Sequence, residues 1–192
     1  METSVSLLER LTGAPTDDDW RRLHDLYQPL LRAWMTRAGV PASDVDDLVQ
    51  DVLSVVVRRI AGFEWRGQGA FRAWLRTILA HQLRDYFRGQ KNRPIATGGS
   101  DFQSWLDELE SHDSALSRLL DREHDEHVVA SLLRTVQGDF APVTWQAFRR
   151  HVLEGEPAVR VAEELGLSLN SVLMAKSRVL KRLRQEAAGL VE

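Results

Sequence analysis

Acidic and histidine side chains that could bind a metal occur together once in this chain, in residues 123–127. Glu123 and His127 are four residues apart, so both would lie on one face of a helix. The same residues are also typical of an ordinary acidic helix surface, which is the interpretation we favour. The sequence contains no cysteine, and it shows no Ser–His pair or glycine-rich phosphate-binding motif. We therefore expect no metal site, no cofactor and no enzymatic activity.

The charged residues indicate a different chemistry, the binding of a polyanion. Residues 58–93 contain nine basic and two acidic residues, and residues 176–184 contain five basic residues and no acid. Between them, residues 101–127 contain nine acidic and two basic residues. Basic clusters supply most of the non-specific affinity of proteins for DNA. The two basic segments therefore predict two nucleic-acid-binding surfaces; the alternative is that they are solvated helix surfaces.

Helices must position these residues, because apolar side chains recur at helical spacing and no segment alternates with the period of a strand. We predict an all-α fold. The predicted helices span residues 17–38, 43–62, 68–91, 102–109, 113–136, 144–153, 157–165 and 168–188. Pro29 predicts a kink or break in the first helix, and Ser43 is the expected N-cap of the second.

Helix-breaking residues divide the chain into two small helical domains. Pro94 and the Gly98-Gly99-Ser100 run end the third helix. We predict an N-terminal domain in residues 1–93, a flexible acidic linker in residues 94–120 and a C-terminal domain in residues 121–192. The apolar stretches fall short of the roughly 20 residues that span a bilayer, and no secretory signal is visible. We expect a cytoplasmic protein without membrane insertion.

Three residues near the C-terminus have the spacing of a helix-turn-helix. Ala162, Gly166 and Val172 stand at relative positions zero, four and ten. Alanine lets the two helices approach, glycine can take the positive φ of a tight turn, and valine anchors the second helix. Ser168 is the expected N-cap of that second helix. The alternative is a helical hairpin in which the glycine is coincidental.

In a helix-turn-helix, residues near the start of the second helix reach the base edges and later residues meet the phosphates. Residues on the face opposite the core are therefore candidates for DNA contact. Those assigned to base readout are Asn170, Ser171, Met174 and Ala175. Those assigned mainly to phosphate are Arg178, Lys181 and Arg182.

Segments in both halves of the chain resemble the extracytoplasmic-function sigma factors of bacteria. Residues 44–53 (DVDDLVQDVL) resemble the helix with which that family binds the coiled coil of the largest RNA polymerase subunit. Residues 71–78 (FRAWLRTI) and 83–88 (LRDYFR) look like its promoter-melting helix. Residues 161–168 (VAEELGLS) and 176–183 (KSRVLKRL) look like its region four. The order and separation of these segments agree with the family.

The resemblance implies a sigma factor that directs promoter-specific transcription initiation. Its expected partners are core RNA polymerase, through the coiled coil and the flap, and promoter DNA, with the minus-ten element on the N-terminal domain and the minus-thirty-five element on the C-terminal domain. An anti-sigma factor is a further candidate partner whose existence the sequence leaves open. The alternative is a free-standing helix-turn-helix regulator with an N-terminal sensor or dimerisation domain.

Three polar residues are the candidates for polymerase binding. Asp47, Gln50 and Asp51 are spaced i, i+3 and i+4, so one helix face presents them together. The helix macrodipole would by itself favour acids at the start of this helix, but it does not explain Asp51.

The third predicted helix provides the candidates for minus-ten binding. Melting needs a basic groove for the DNA backbone and aromatic or polar pockets for unstacked bases. The residues assigned to this element are Arg72, Arg76, His81, Arg84, Asp85 and Arg88, with Lys91 and Arg93 as further groove residues. Trp74 has core spacing, which we favour over base stacking. His81 departs from the asparagine common in the family, and this leaves the base preference there open.

The acidic linker has three interpretations. It could fold against a basic face of the free protein, imitate nucleic acid inside the polymerase channel, or remain a solvated flexible segment. The first two predict that neutralising Asp107, Glu108 and Glu110 raises the DNA affinity of the free protein.

Overall fold

The computed structural model describes residues 6–64, 66–67, 69–89, 99–111 and 113–191, without the side chains of 99–102. Over these ranges the fold is all-α, as predicted, and contains no β-strand. A 3₁₀ turn, Ile60–Gly62, extends the third helix, and a π-helical turn, Arg149–Leu153, extends the seventh. The helices are α1 Leu7–Thr12, α2 Asp17–Arg37, α3 Ala42–Arg59, α4 Ala70–Gly89, α5 Gly99–Glu110, α6 Ala115–Gln137, α7 Pro142–Phe148, α8 Ala158–Leu165 and α9 Leu169–Ala187.

The chain divides into two compact units at Val128–Val129, inside α6. The N-terminal unit comprises Leu7–Val128 and Gly189–Glu192, and Val129–Ala188 forms most of the C-terminal unit. This boundary lies beyond the flexible linker predicted for residues 94–120. From residue 99 onward the supposed linker is largely helical, because α5 and the first half of α6 carry the buried residues Leu106, Leu109 and Leu120. Pro94 and Gly98, on which the linker prediction rested, lie outside the described residues.

Helix α2 begins with a capping box that was not predicted from the sequence. The Thr16 hydroxyl accepts from the Asp19 backbone N–H at 3.3 Å, and the Asp19 carboxylate accepts from the Thr16 N–H at 3.0 Å. Arg10 of the unpredicted helix α1 donates to Asp19 at 2.7 Å. Of the kink or break predicted at Pro29, the break is wrong, because α2 continues through it with buried residues on both sides. The kink stays a prediction.

Helices α2, α3 and α4 pack in sequence order and build the core of the N-terminal unit. Leu48, Val52 and Val56 of α3 are buried at 4% exposure or less. The predicted cap at Ser43 is wrong: α3 starts one residue earlier, after Pro41, whose carbonyl accepts from the Val45 N–H at 3.2 Å. None of the helices in the described ranges is apolar and long enough to cross a membrane.

In the C-terminal unit, α7, α8 and α9 pack on one another. Gly166 ends α8 in the left-handed conformation with φ of 65°, as the predicted tight turn requires. Ser168 caps α9 by accepting from the Ser171 N–H at 3.0 Å. Val161, Ala162 and Val172 are buried together. The conformation of Gly166, the cap at Ser168 and this burial agree with the predicted turn, and the assignment as a helix-turn-helix stays a prediction.

Candidate polymerase and nucleic-acid interfaces

Asp47, Gln50 and Asp51 are all exposed on α3. The neighbouring acids are engaged elsewhere: Asp44 accepts from the Tyr86 hydroxyl, and Asp46 forms an ion pair with Arg32. No ion pair joins Asp47 or Asp51 to another residue in the part of the chain that the structure describes. Helix α3 therefore directs this polar face to solvent.

A groove of about 370 Å³ adjoins that face, between α2 and α3. Gln50 lines it together with Trp20, His24 and Val57. Val57 is 45% exposed, which is high for a valine. The exposed surface of α3 thus combines two carboxylates, an amide and an adjacent apolar groove, a mixture found in protein–protein interfaces.

The first two arginines assigned to the minus-ten element are not exposed. Arg76 is only 3% exposed, and its guanidinium donates to the Ser117 carbonyl at 3.0 Å and to Asp121. Arg72 donates to Asp125 at 2.7 Å and lies 3.5 Å from Asp121. Both guanidiniums are therefore paired with acids of α6 in this structure and do not face an open groove. Their assignment to the minus-ten element stays a prediction.

The other minus-ten candidates lie further along α4. Arg84 donates to Glu110 of α5 at 2.8 Å. This hydrogen bond holds the pKa of Glu110 below its ordinary value. Arg88 donates to Asp85 of its own helix at 2.6 Å, and His81 is exposed. The structure thus brings all six candidates onto α4 but leaves only the last turns and His81 largely in solvent. Lys91 and Arg93 lie outside the described residues.

Helix α6 docks on α2 as well as on α4. Glu123 accepts from the Trp34 indole at 3.0 Å and from Arg37 at 2.7 and 2.8 Å. These hydrogen bonds, that from Arg37 first, lower the pKa of Glu123. His124 is fully buried, with Nε2 at 3.1 Å from the Tyr27 hydroxyl and Nδ1 at 2.9 Å from Asp125.

The charge of Asp125 is also favoured by its surroundings. Burial raises the pKa of Asp125, but the hydrogen bond from His124 and the charge of Arg72 outweigh burial and leave the pKa lowered. Burial raises the pKa of Tyr27 well above its ordinary value. Asp125 is therefore ionised where it contacts Arg72, and Tyr27 keeps its hydroxyl proton where it contacts His124.

These contacts also explain the metal-like spacing of Glu123 and His127. Glu123 is bound to Arg37 and Trp34, whereas His127 Nε2 lies 2.6 Å from the Leu26 carbonyl oxygen. Across the described ranges, no group of three or more acidic and histidine side chains could hold a metal ion.

A cavity of about 710 Å³ opens beside the start of α4. Phe63 and Trp74 form its aromatic side, with ring centroids 5.2 Å apart, and Arg72 and Asp121 form its charged side. Gly69, at φ of 71°, lets the Arg72 guanidinium approach, because a Cβ there would lie 2.9 Å from Arg72 Nη2. Trp74 is thus both half-buried and part of a cavity wall.

In the C-terminal unit, α9 presents most of the predicted DNA-contacting residues on one exposed face. Residues that are exposed there are Asn170, Ser171, Met174, Arg178 and Lys181. Four of them, with Val143 and Thr144 of α7, line a shallow cavity of about 360 Å³.

Two of the residues assigned on α9 are less accessible than the others. Ala175 is 4% exposed and packs beside Val161 and Val172, although it also lines the shallow cavity. Arg182 donates to Asp139 at 2.8 Å and to Glu186 at 2.6 Å, so its guanidinium is already paired. The helical period placed both at the edge of the polar face, where packing decides exposure.

The region from α2 to α4, with its exposed acids and paired arginines, can now be compared with known proteins. Residues 23–93 match the family model of sigma-70 region 2. The match supports a sigma factor, a protein that binds RNA polymerase and recognises the minus-ten element and that is not itself an enzyme. No curated protein sequence matches the chain.

Proposed function

We propose that the chain is a sigma factor of the extracytoplasmic-function type, which binds core RNA polymerase and directs initiation at selected promoters. The match of residues 23–93 to sigma-70 region 2 carries the proposal. In it, α3 binds the coiled coil of the largest subunit, α4 and the preceding loop recognise the minus-ten element, and α8 and α9 recognise the minus-thirty-five element.

The α3 surface supports polymerase binding through its accessibility. Asp47, Gln50 and Asp51 are exposed, and the buried residues of α3 lie away from them. A rigid helix that presents two carboxylates suits a basic partner surface, because complementary charge speeds association and fixes orientation. The adjacent groove with Val57 adds apolar area to the same surface.

The α9 surface supports recognition of duplex DNA. Asn170, Ser171 and Met174 lie in its first two turns, where a recognition helix meets base edges in the major groove. Arg178 and Lys181 follow on the same exposed face, at positions suited to phosphates.

Run-off transcription by core polymerase tests the proposal. With fragmented genomic DNA as template, adding the chain should produce discrete start sites that core polymerase alone does not give. Failure to produce transcripts, together with failure to bind core polymerase in a pull-down, would overturn the proposal. Protection of a palindromic site by the chain alone would support the alternative of a free-standing regulator.

Two substitutions test the division of labour. Asp51→Arg should weaken binding to core polymerase about tenfold or more, because it places a like charge against a basic surface. Glu126→Arg on the exposed surface of α6 is the matched control and should change binding little. Arg178→Ala should weaken recognition of the minus-thirty-five element while polymerase binding stays intact, and Lys176→Ala, away from the reading face, is its control.

A further inference from the structure

Acids of α5 and α6 bind arginines of the minus-ten helix α4. Glu110 of α5 binds Arg84, whereas Asp121 and Asp125 of α6 bind Arg76 and Arg72. We call α5 and residues 115–128 of α6 the acidic strap. Each of these contacts places a carboxylate on an arginine assigned to the DNA backbone, so the strap forms with α4 the same kind of ion pair that a phosphate would form.

The strap is held by more than these charges. Leu106, Leu109 and Leu120 are buried at 1% exposure or less, and α5 packs directly on α4. On α2, Glu123 accepts from Trp34 and Arg37, and His124 meets the Tyr27 hydroxyl. The docking is therefore a built interface with an apolar base and polar contacts at its edge.

Asp121 also lines the cavity beside Phe63 and Trp74. A nucleic-acid strand that entered this cavity would bring its phosphates close to the carboxylates of Asp121 and Asp125. Like charges at that range repel, and the arginines that could neutralise the phosphates are already paired. Access to the arginines and access to the cavity are thus limited by the same segment.

We propose that the acidic strap is an autoinhibitory competitor of single-stranded promoter DNA, which leaves α4 when the DNA backbone takes its place. This inference rests on the proposed function, because it assumes that α4 is the minus-ten helix. Among the acids named from sequence, only Glu110 contacts α4. Asp107 accepts from Gln103 of its own helix, and the Glu108 side chain is exposed.

The test compares two double variants of the full chain. Glu110→Gln with Asp125→Asn removes two carboxylates that face α4. Glu108→Gln with Glu126→Gln removes two exposed carboxylates from the same two helices and changes the net charge equally. The Asp121 pair is left intact, because breaking a buried ion pair would disturb folding. Thermal unfolding of both variants confirms that they are folded.

Binding of a fluorescently labelled single-stranded oligonucleotide of mixed sequence is measured by anisotropy at low salt, without polymerase. The first variant should bind roughly three- to tenfold more tightly than the wild type, from the release of two partly exposed ion pairs. Its salt dependence should steepen by roughly one unit in the log–log slope, since Arg84 loses its Glu110 partner whereas Arg72 keeps Asp121 nearby. The control variant should stay near the wild type. Equal affinities for the two variants, or no detectable binding by either, would overturn the proposal.

Hydrogen exchange provides a second readout in the wild-type chain. Adding the oligonucleotide should reduce protection of the amides in residues 103–110 and 115–128, and unchanged protection on a bound complex would contradict displacement. Transcription with core polymerase separates the two proposals. If the chain supports transcription but its strap variants bind DNA with unchanged affinity, the strap proposal fails and the proposed function stands.

Discussion

Among the helices that the structure describes, α4 and α9 are the two most basic, and they present their cations in opposite ways. Arg178 and Lys181 of α9 are exposed, whereas Arg72 and Arg76 of α4 are paired with acids of α6 and largely buried. The difference follows from the positions of the acidic residues. Acids of α5 and α6 form ion pairs with the arginines of α4, whereas the ion pairs on α9 join Asp139 and Glu186 to Arg182. A count of charges along a sequence therefore indicates potential affinity for DNA and does not indicate access.

The largest expected effect is a difference in protein stability between variants of the α4 contacts and variants of α9. Asp121→Ala should lower the free energy of unfolding by about 3 kcal/mol, because it leaves the buried Arg76 guanidinium without its carboxylate. Arg178→Ala, which removes an exposed cation, should change it by less than about 0.5 kcal/mol. Urea denaturation followed by circular dichroism measures both. Similar values for the two variants would mean that the contact between α4 and α6 contributes little to folding.

The second effect distinguishes core from reading face within α9. Ala175→Leu should destabilise the protein by about 2 kcal/mol, because the site is packed against Val161 and Val172. Met174→Leu, one residue earlier and 42% exposed, should leave stability unchanged and alter promoter preference. Thermal unfolding and start-site mapping are the measurements. An Ala175→Leu variant as stable as the wild type would indicate that Ala175 is exposed, as the helical periodicity predicted.

A smaller effect concerns the salt dependence of duplex binding. Arg178→Ala should reduce the log–log slope of affinity against salt by about one unit, because one phosphate contact is lost. Arg84→Ala should leave the slope of the free chain nearly unchanged, since Arg84 is paired with Glu110. Anisotropy titrations of a labelled duplex at several salt concentrations test this. The reverse ranking would contradict the difference in accessibility between the two helices.

The smallest effect is a pH dependence of strap docking. The pKa values of Glu110 and Glu123 are lowered by Arg84 and Arg37, respectively. Their stabilising contribution is therefore fully present above the ordinary value of 4.5 and is lost as pH falls through the lower pKa of the docked state. The protection factors of the amides in residues 103–110, which are exchange rates relative to the unstructured chain at the same pH, should fall below about pH 4.5 and stay constant between pH 6 and 8. Protection factors that fall on raising the pH would contradict this sign.

The sequence predicts the helices better than their surroundings. Helical periodicity located α2, α4 and α9 to within about two residues, and the Ala162, Gly166 and Val172 spacing predicted a turn that the structure confirms. It could not show that Arg76 lies beneath Asp121, because that contact joins residues 45 positions apart. Periodicity also placed Ala175 on the polar face, since a small residue at the edge of the apolar stripe is compatible with either the core or the exposed face.

Two further features depended on contacts that no local pattern contains. Residues 94–120 were predicted to be a flexible linker because acidic and helix-breaking residues dominate the pattern there, whereas the burial of Leu106, Leu109 and Leu120 depends on tertiary contacts. Helix α1 is only six residues long, and it is fixed by the Arg10 hydrogen bond to Asp19 of α2. Short helices held by tertiary contacts carry little periodic signal.

The buried imidazole of His124 has a consequence for how the strap can move. Because a carboxylate only accepts hydrogen bonds, Nδ1 donates to Asp125 and Nε2 faces the Tyr27 hydroxyl. Sliding α6 by one residue along α2 would carry Nε2 away from the Tyr27 hydroxyl, whereas the bond to Asp125 lies within α6 and would move with it. The Tyr27 contact therefore favours one register of α6 on α2. A strap that leaves α4 as proposed would have to give up this buried contact together with the Arg72 ion pair.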